Sequence, residues 1–301
     1  MKKALFPALV LSALLTACAT NGTVQGTSCS AKTDKLASTP LLYSAREGDV
    51  GNVRCLLDAG VNANAADGDG STALMFAAAQ GHTAVVQTLL DQGAQVGAAD
   101  KNGYTALMTA AGGGNTDVAR LLIERGANVN AALTGGKTAG GTALMWAAGR
   151  GHTDIVRLLI EKGANVNAAD SNGATALTSA ALGGRSDTTR LLIEQGANVN
   201  MANKSGATAL MAASLNGDAD IVRRLIDKGA NVNATDNNGL TALMAAAMRG
   251  HADIARLLIK SGANVGAAVT KGKLAGATAL DAARDGKHDE VVQILRAAGA
   301  K

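Results

Sequence analysis

Residues 236–265 read DNNGLTALMAAAMRGHADIARLLIKSGANV. Asp236-Asn237-Asn238-Gly239 marks a turn, because Gly239 can adopt positive φ without a Cβ clash. Thr241 then offers its hydroxyl to the free N–H groups at the start of a short Ala/Leu/Met helix. Gly250 interrupts that helix. A second, from Ile254 to Lys260, runs back antiparallel, and Gly262 falls just past its end, where a left-handed residue is favoured. Leu243, Ala246 and Ala247 give the first helix a narrow apolar face; Ile254, Leu257, Leu258 and Ile259 give the second a wider one. The alanines let neighbouring units approach closely, and the leucines fill the space behind them.

The same unit recurs outward in both directions. Its threonine appears at Thr39, Thr72, Thr105, Thr142, Thr175, Thr208, Thr241 and Thr278, at intervals of 33 residues broken twice by 37. A leucine follows each threonine by 17 residues, from Leu56 to Leu295, and a glycine by 21, from Gly60 to Gly299. The pattern D-x-x-G-x-T-A-L-M-x-A-A-x-x-G-H-x-D-I-V-x-L-L-I-x-x-G-A-N-V-N-A resembles the ankyrin repeat in period and in its T-P-L-H-x-A signature. The resemblance covers the chain from about Thr39 to its end. It implies an all-α solenoid of about eight helix-turn-helix units joined by β-turn or hairpin loops, starting near 38, 67, 100, 137, 170, 203, 236 and 273 within a repeat domain at 38–301. Two departures recur. The signature proline appears only at Pro40. The signature histidine, which in the family links adjacent repeats, is Met75, Met108, Met145, Met211 and Met244, or Leu42, Thr178 and Asp281. Stacking is therefore expected to depend more on packing.

A unit that stacks cannot bury its apolar face alone, so the terminal units need polar outer sides. The last unit carries Arg296 where inner units carry Ile123, Ile160, Ile193, Ile226 and Ile259, and adds Arg284, Asp285 and Lys287. Arg46, Glu47 and Asp49 lie in the first. Both ends read as caps of an array expected to be complete. The two long intervals hold related insertions, AALTGGKTAG at 131–140 and AAVTKGKLAG at 267–276, spaced by one four-unit block. Duplication of four units accounts for them, and both lengthen loops on the same edge.

The N-terminus, MKKALFPALVLSALLTAC, has the build of a secretory signal, with Lys2 and Lys3 before an apolar run. That run is shorter than the ~20 residues needed to span a bilayer. Leu15-Thr16-Ala17-Cys18 resembles the bacterial lipobox. This resemblance implies a signal peptide at 1–17, lipidation of Cys18, and a lipidated N-terminus and flexible tether at 18–37. Ala19 in place of aspartate after the lipid-bearing cysteine implies an outer-membrane anchor facing the periplasm in the Gram-negative arrangement. Loss of Lys2 and Lys3 would take the formal charge from +4 to +2. So weak and mixed a balance argues against a nucleic-acid surface.

Other residue types each admit a chemical and a structural reading. An oxidising compartment permits a Cys29–Cys55 disulfide that would pin the tether to the first unit; the alternative is a buried Cys55 thiol and a loose Cys29. His82, His152, His251 and His288 all fall ten residues after their threonine. They have no cysteine, carboxylate or nucleophile at a useful spacing, so a structural role is expected. The methionine row could suggest Cu(I). Equivalent side chains in successive units are held about 8–10 Å apart, however, which favours core packing. Asp67-Gly68-Asp69-Gly70 resembles part of a calcium loop but coincides with the turn and lacks a bidentate glutamate. No catalytic residue, metal site or cofactor is expected, and an enzyme is the least supported class.

Function then rests on the surface the stack creates. The fourth residue after each threonine reads Tyr43, Phe76, Thr109, Trp146, Ser179, Ala212, Ala245 and Ala282. With Tyr104 at a turn tip, all aromatics after the signal segment lie in the first four units. Trp and Tyr are common interface anchors, so Phe76, Tyr104, Trp146 and Arg150 are the expected centre of a protein-docking face, with Tyr43, Met248 and Arg249 further along it. The alternative is that the rings pack between helices. The expected molecule is a non-enzymatic, lipid-anchored scaffold for another protein. One version supports an exported enzyme, for example a catalase, in stress defence; the other neutralises a toxin acting in the periplasm.

Overall fold

The computed structural model describes residues 29–32 and 39–301, and among these the chain forms sixteen helices in eight antiparallel pairs. The expected all-α repeat solenoid is what the chain builds. In the seventh unit the first helix is Ala242–Arg249 and the second Ala252–Lys260. Thr241 Oγ1 accepts from the Met244 N–H at 3.2 Å, and Gly250 ends the helix at φ 77°. The same cap forms at Thr39, Thr72, Thr105, Thr175, Thr208 and Thr278, each satisfying a donor that the first turn leaves over. Thr142 is the exception: its hydroxyl is buried with no hydrogen-bond partner.

First helices stack on first helices and second on second. Because the first are lined with alanine they pack more closely, which makes them the inner, concave layer. The recurring leucines Leu56, Leu89, Leu122, Leu159, Leu192, Leu225, Leu258 and Leu295 are all buried behind them. The methionine row, Met75, Met108, Met145, Met211 and Met244, is buried in the same core, as packing required. Between units the chain makes a turn rather than a true strand: single antiparallel bridges close six of the loops, among them Ala132↔Thr142 and Ala268↔Thr278 across the two insertions. In the calcium-like stretch, Asp67 Oδ1 accepts from the N–H groups of Asp69 and Ser71, which is turn chemistry.

Apolar packing joins the units, as the missing signature histidine led one to expect, and a ladder of loop asparagines links them as well. Asn200 Nδ2 donates to the Gly229 carbonyl at 2.9 Å while its Oδ1 accepts from the Asn231 N–H at 2.7 Å. Asn64, Asn130 and Asn233 make the same pair of bonds one repeat onward, and Asn167 makes the second of them. The equivalent positions Gly97 and Gly266 lack a side chain and interrupt the ladder. Backbone bonds between loop tips, such as Lys204 N–H to the Asn172 carbonyl, run alongside.

The stretch at 18–37 was expected to be a tether, yet Cys29–Ala31 lies half-buried against the first unit. Cys29 is bonded to Cys55, with their Cα atoms 5.7 Å apart. Asn52 accepts from the Ser30 N–H at 2.7 Å and donates to the Ser30 carbonyl at 3.0 Å and to Ser44 Oγ at 2.6 Å. Inner units carry Ile or Val where Asn52 stands, except for Thr188, and alanine where Ser44 stands. The first unit is thus modified to hold a short segment on the side where a preceding unit would pack. The proposed signal peptide, Cys18 and residues 19–28 lie outside the described residues.

Candidate functional site

The concave layer is where the repeat varies most. Tyr43, Phe76 and Trp146 project from first helices, and Tyr104 immediately precedes the capping threonine of the third unit. All four rings are half-buried and touch the apolar core, so each packs on one side and leaves part of its surface open. Tyr104 and Trp146 come together across the loop between units three and four, with ring centroids 5.8 Å apart and planes inclined at 47°. Burial, with the Asp100 carboxylate adding to it, pushes the Tyr104 phenol above its ordinary range and keeps it a neutral donor. Arg150, exposed, closes the first helix from which Trp146 projects, one turn further on.

Tyr43 differs from these. The Arg46 guanidinium sits 5.3 Å from its ring centroid, covering one face, and also pairs with Glu47. Met248 and Arg249 are exposed on the first helix of the seventh unit, three helix spacings from Trp146, on the order of 25–30 Å. The structure therefore divides the expected docking residues into an aromatic group around Tyr104 and Trp146 and a separate group near Met248.

The second group belongs to an apolar row that helical spacing also puts on this face. Leu182, Leu215 and Met248 each stand seven residues after their threonine, on three successive first helices. Leu182 is 43% and Met248 37% exposed, unusual for such side chains. The signal was present in the sequence: the same position is Ala79, Gly112 and Gly149 in earlier units.

The histidines also acquire a definite place. His82 Nε2 donates to the Arg46 carbonyl at 2.9 Å, His251 to that of Leu215 at 3.3 Å, and His288 to that of Met248 at 3.2 Å. Asn115 and Arg185 occupy the same position and donate to the Ala79 and Gly149 carbonyls. Each side chain, His152 included, lies over the glycine that ends the preceding first helix. A Cβ on Gly48, Gly81, Gly114, Gly151, Gly217 or Gly250 would come within 2.8 Å of it. The junction between units five and six departs from this. There the position is Asp218, and a Cβ on Gly184 would meet only Asn216 Nδ2, at 3.7 Å. Asp218 instead accepts from Ser186 Oγ and from the Ile221 N–H, capping its own helix. A cavity of about 340 Å³ remains, lined by Arg185, Ser186, Thr189, Asn216 and Asp218 among others. No cluster of three or more His, Cys, Asp or Glu side chains suited to a metal occurs among the described residues. No helix among them is long and apolar enough to cross a membrane.

Comparison with known proteins agrees with this architecture. The family profile described as "Ankyrin repeats (3 copies)" matches residues 14–100, 41–133, 95–170, 133–203, 166–236 and 210–301. Among solved structures, the human ASB11 ankyrin repeat domain is similar at 26% sequence identity and a TM-score of 0.66, over 74% of this chain and 97% of that one. No curated protein matched the sequence.

Proposed function

The chain belongs to the ankyrin repeat family, whose arrays are protein-interaction scaffolds, and from that premise we propose that it docks another protein through the concave layer around Tyr104 and Trp146. The observation that carries this reading is the ring pair at 5.8 Å with the exposed Arg150 nearby, where the next units carry Ser179, Ala212, Ala245 and Ala282 at the Trp146 position. Half-buried aromatic anchors beside an arginine are the composition of an interface hot spot. Phe76, half-buried on the second unit, extends the face toward the N-terminus.

The lipobox-like Leu15-Thr16-Ala17-Cys18 supports a membrane anchor for this scaffold. Lipidation of Cys18 would put the anchor ten intervening residues before the clamped Cys29, a span of no more than about 40 Å for a fully extended chain. The partner would then be met close to the outer membrane, on its periplasmic side, and would be an exported enzyme or an incoming toxin.

Replacement of Trp146 by alanine tests the docking face. Crosslinked capture from membranes should fall while the melting temperature stays near that of the parent protein. A large drop in melting temperature with capture intact would make the ring a packing element and end the proposal. Palmitate labelling that survives Cys18→Ser would remove the anchor.

A further inference from the structure

The junction between units five and six differs from its neighbours: Gly183 ends the first helix in the αR conformation, Asn216 Nδ2 donates to the Ala181 carbonyl at 2.8 Å, and the usual plug is missing. At six other junctions a histidine, asparagine or arginine lies over the glycine of the preceding unit. Where their bonds are formed, they donate to carbonyls at that helix end, Arg46, Ala79, Gly149, Leu215 and Met248. An ionised aspartate has no hydrogen to give. Asp218 is drawn down instead to Ser186 and the Ile221 N–H, and leaves Gly184 uncovered. What remains is a cavity of about 340 Å³ whose wall carries a negative charge. The exposed Leu182 follows Ala181 of its lining in the chain, and Leu215 and Met248 continue the apolar row onto the next two units.

We propose that this vacancy receives an arginine side chain of the docked protein, with flanking aliphatic side chains of the same segment lying on Leu182, Leu215 and Met248. The proposal rests on the reading of the concave layer as a protein-docking surface. The chain supplies its own template one junction earlier, where Arg185 covers Gly151 and its Nε donates to the Gly149 carbonyl at 3.4 Å. A guest arginine in the next junction would find the equivalent Leu182 carbonyl and, in addition, the Asp218 carboxylate, which suits a planar guanidinium better than an ammonium. Arg185 lines the same cavity, but its Nε is turned toward the fourth unit and so does not oppose the guest. Neutral or acidic segments gain no such pairing.

Random displayed peptides panned against the full chain test this, followed by titration of the selected peptides in synthetic form. The expected winners carry an arginine between aliphatic residues. Their affinity should fall at least about tenfold when that arginine becomes glutamine, and as much when the protein carries Asp218→His, which restores the plug found in four other units. Trp146→Ala should leave this binding unchanged. If Asp218→His melts early, Leu182→Ser, at an exposed position, must show the loss instead. Selection of acidic or neutral peptides, or arginine peptides indifferent to both variants, overturns the proposal. Peptides lost on Trp146→Ala but not on Asp218→His would overturn it while leaving the aromatic docking face intact. No enrichment at all would count against both.

Discussion

The first four units and the last four share one backbone and differ in what they show to a partner. Units one to four hold Tyr43, Phe76, Tyr104 and Trp146, half-buried against the core, and begin with a segment clamped by Cys29–Cys55 and Asn52. Units five to eight have no aromatic residue; they expose Leu182 and Met248 and leave the junction at Asp218 unplugged. Caps, turns and buried leucines continue through both halves. Specialisation therefore lies at positions the scaffold does not need, which is where a stack of nearest-neighbour contacts tolerates change.

The sharpest way to break this comparison is at the clamp. Cys55→Ser should cost the first unit about 3 kcal/mol, the magnitude associated with closing a loop spanning 26 residues. Hydrogen exchange should rise in helices Pro40–Glu47 and Val50–Asp58 and stay unchanged beyond Ala242. Loss of protection in the last units would mean that the halves do not respond separately. A smaller contrast lies in the caps. Thr241→Ala removes a formed bond and should cost about 1 kcal/mol, whereas Thr142→Ala removes a buried hydroxyl without a partner and should be neutral or stabilising. Equal losses in denaturant titrations would show that Thr142 finds a partner in solution.

Smaller again is repair of the asparagine ladder in the N-terminal half. Gly97 has no neighbour within 4 Å of a built Cβ and does not require positive φ, so Gly97→Asn can form the inter-unit bonds seen at Asn64 and Asn130. A gain of about 0.5–1 kcal/mol is expected, read as a melting-temperature rise of about 2 °C. No rise would show that the loop around Gly97 does not reach the next unit.

The smallest effect belongs to the C-terminal half. The Thr278 backbone N–H, followed by its hydroxyl, holds the Asp281 carboxyl below its ordinary range, with Arg284 contributing. A carboxyl lowered by folding contributes stability at neutral pH that is lost as the pH falls through its folded value. Protection of the Ala279–Asp285 helix should therefore decline at strongly acid pH, and Asp281→Asn should flatten that decline. An unchanged acid profile in the variant would remove Asp281 as its cause.

How far the sequence reached depended on whether a feature was local and repeated. Thr241, Gly250 and Gly262 could be placed because capping and left-handed turns are set by a few adjacent residues. Leu258 and Met244 could be assigned to the core because one helical face repeats unit after unit. The asparagine ladder was less legible. Asn200 acts on a carbonyl and an N–H that lie 29 and 31 residues away, and nothing near it in sequence names them. The docked Ser30 was hidden for the same reason, although Asn52 and Ser44 stood out as polar residues at apolar positions.

By itself, then, the sequence determined the repeat, its period, the helix pairs and the identity of the buried side chains, since these follow from short-range backbone preferences copied eight times. Only the tertiary structure decided what the departures do. Stacking brings Tyr104 onto Trp146, lays Cys29 across the first unit, covers six junction glycines with the next unit's side chain and leaves one open at Asp218. Those outcomes depend on side-chain length and direction across an inter-unit gap, and a linear spacing carries neither.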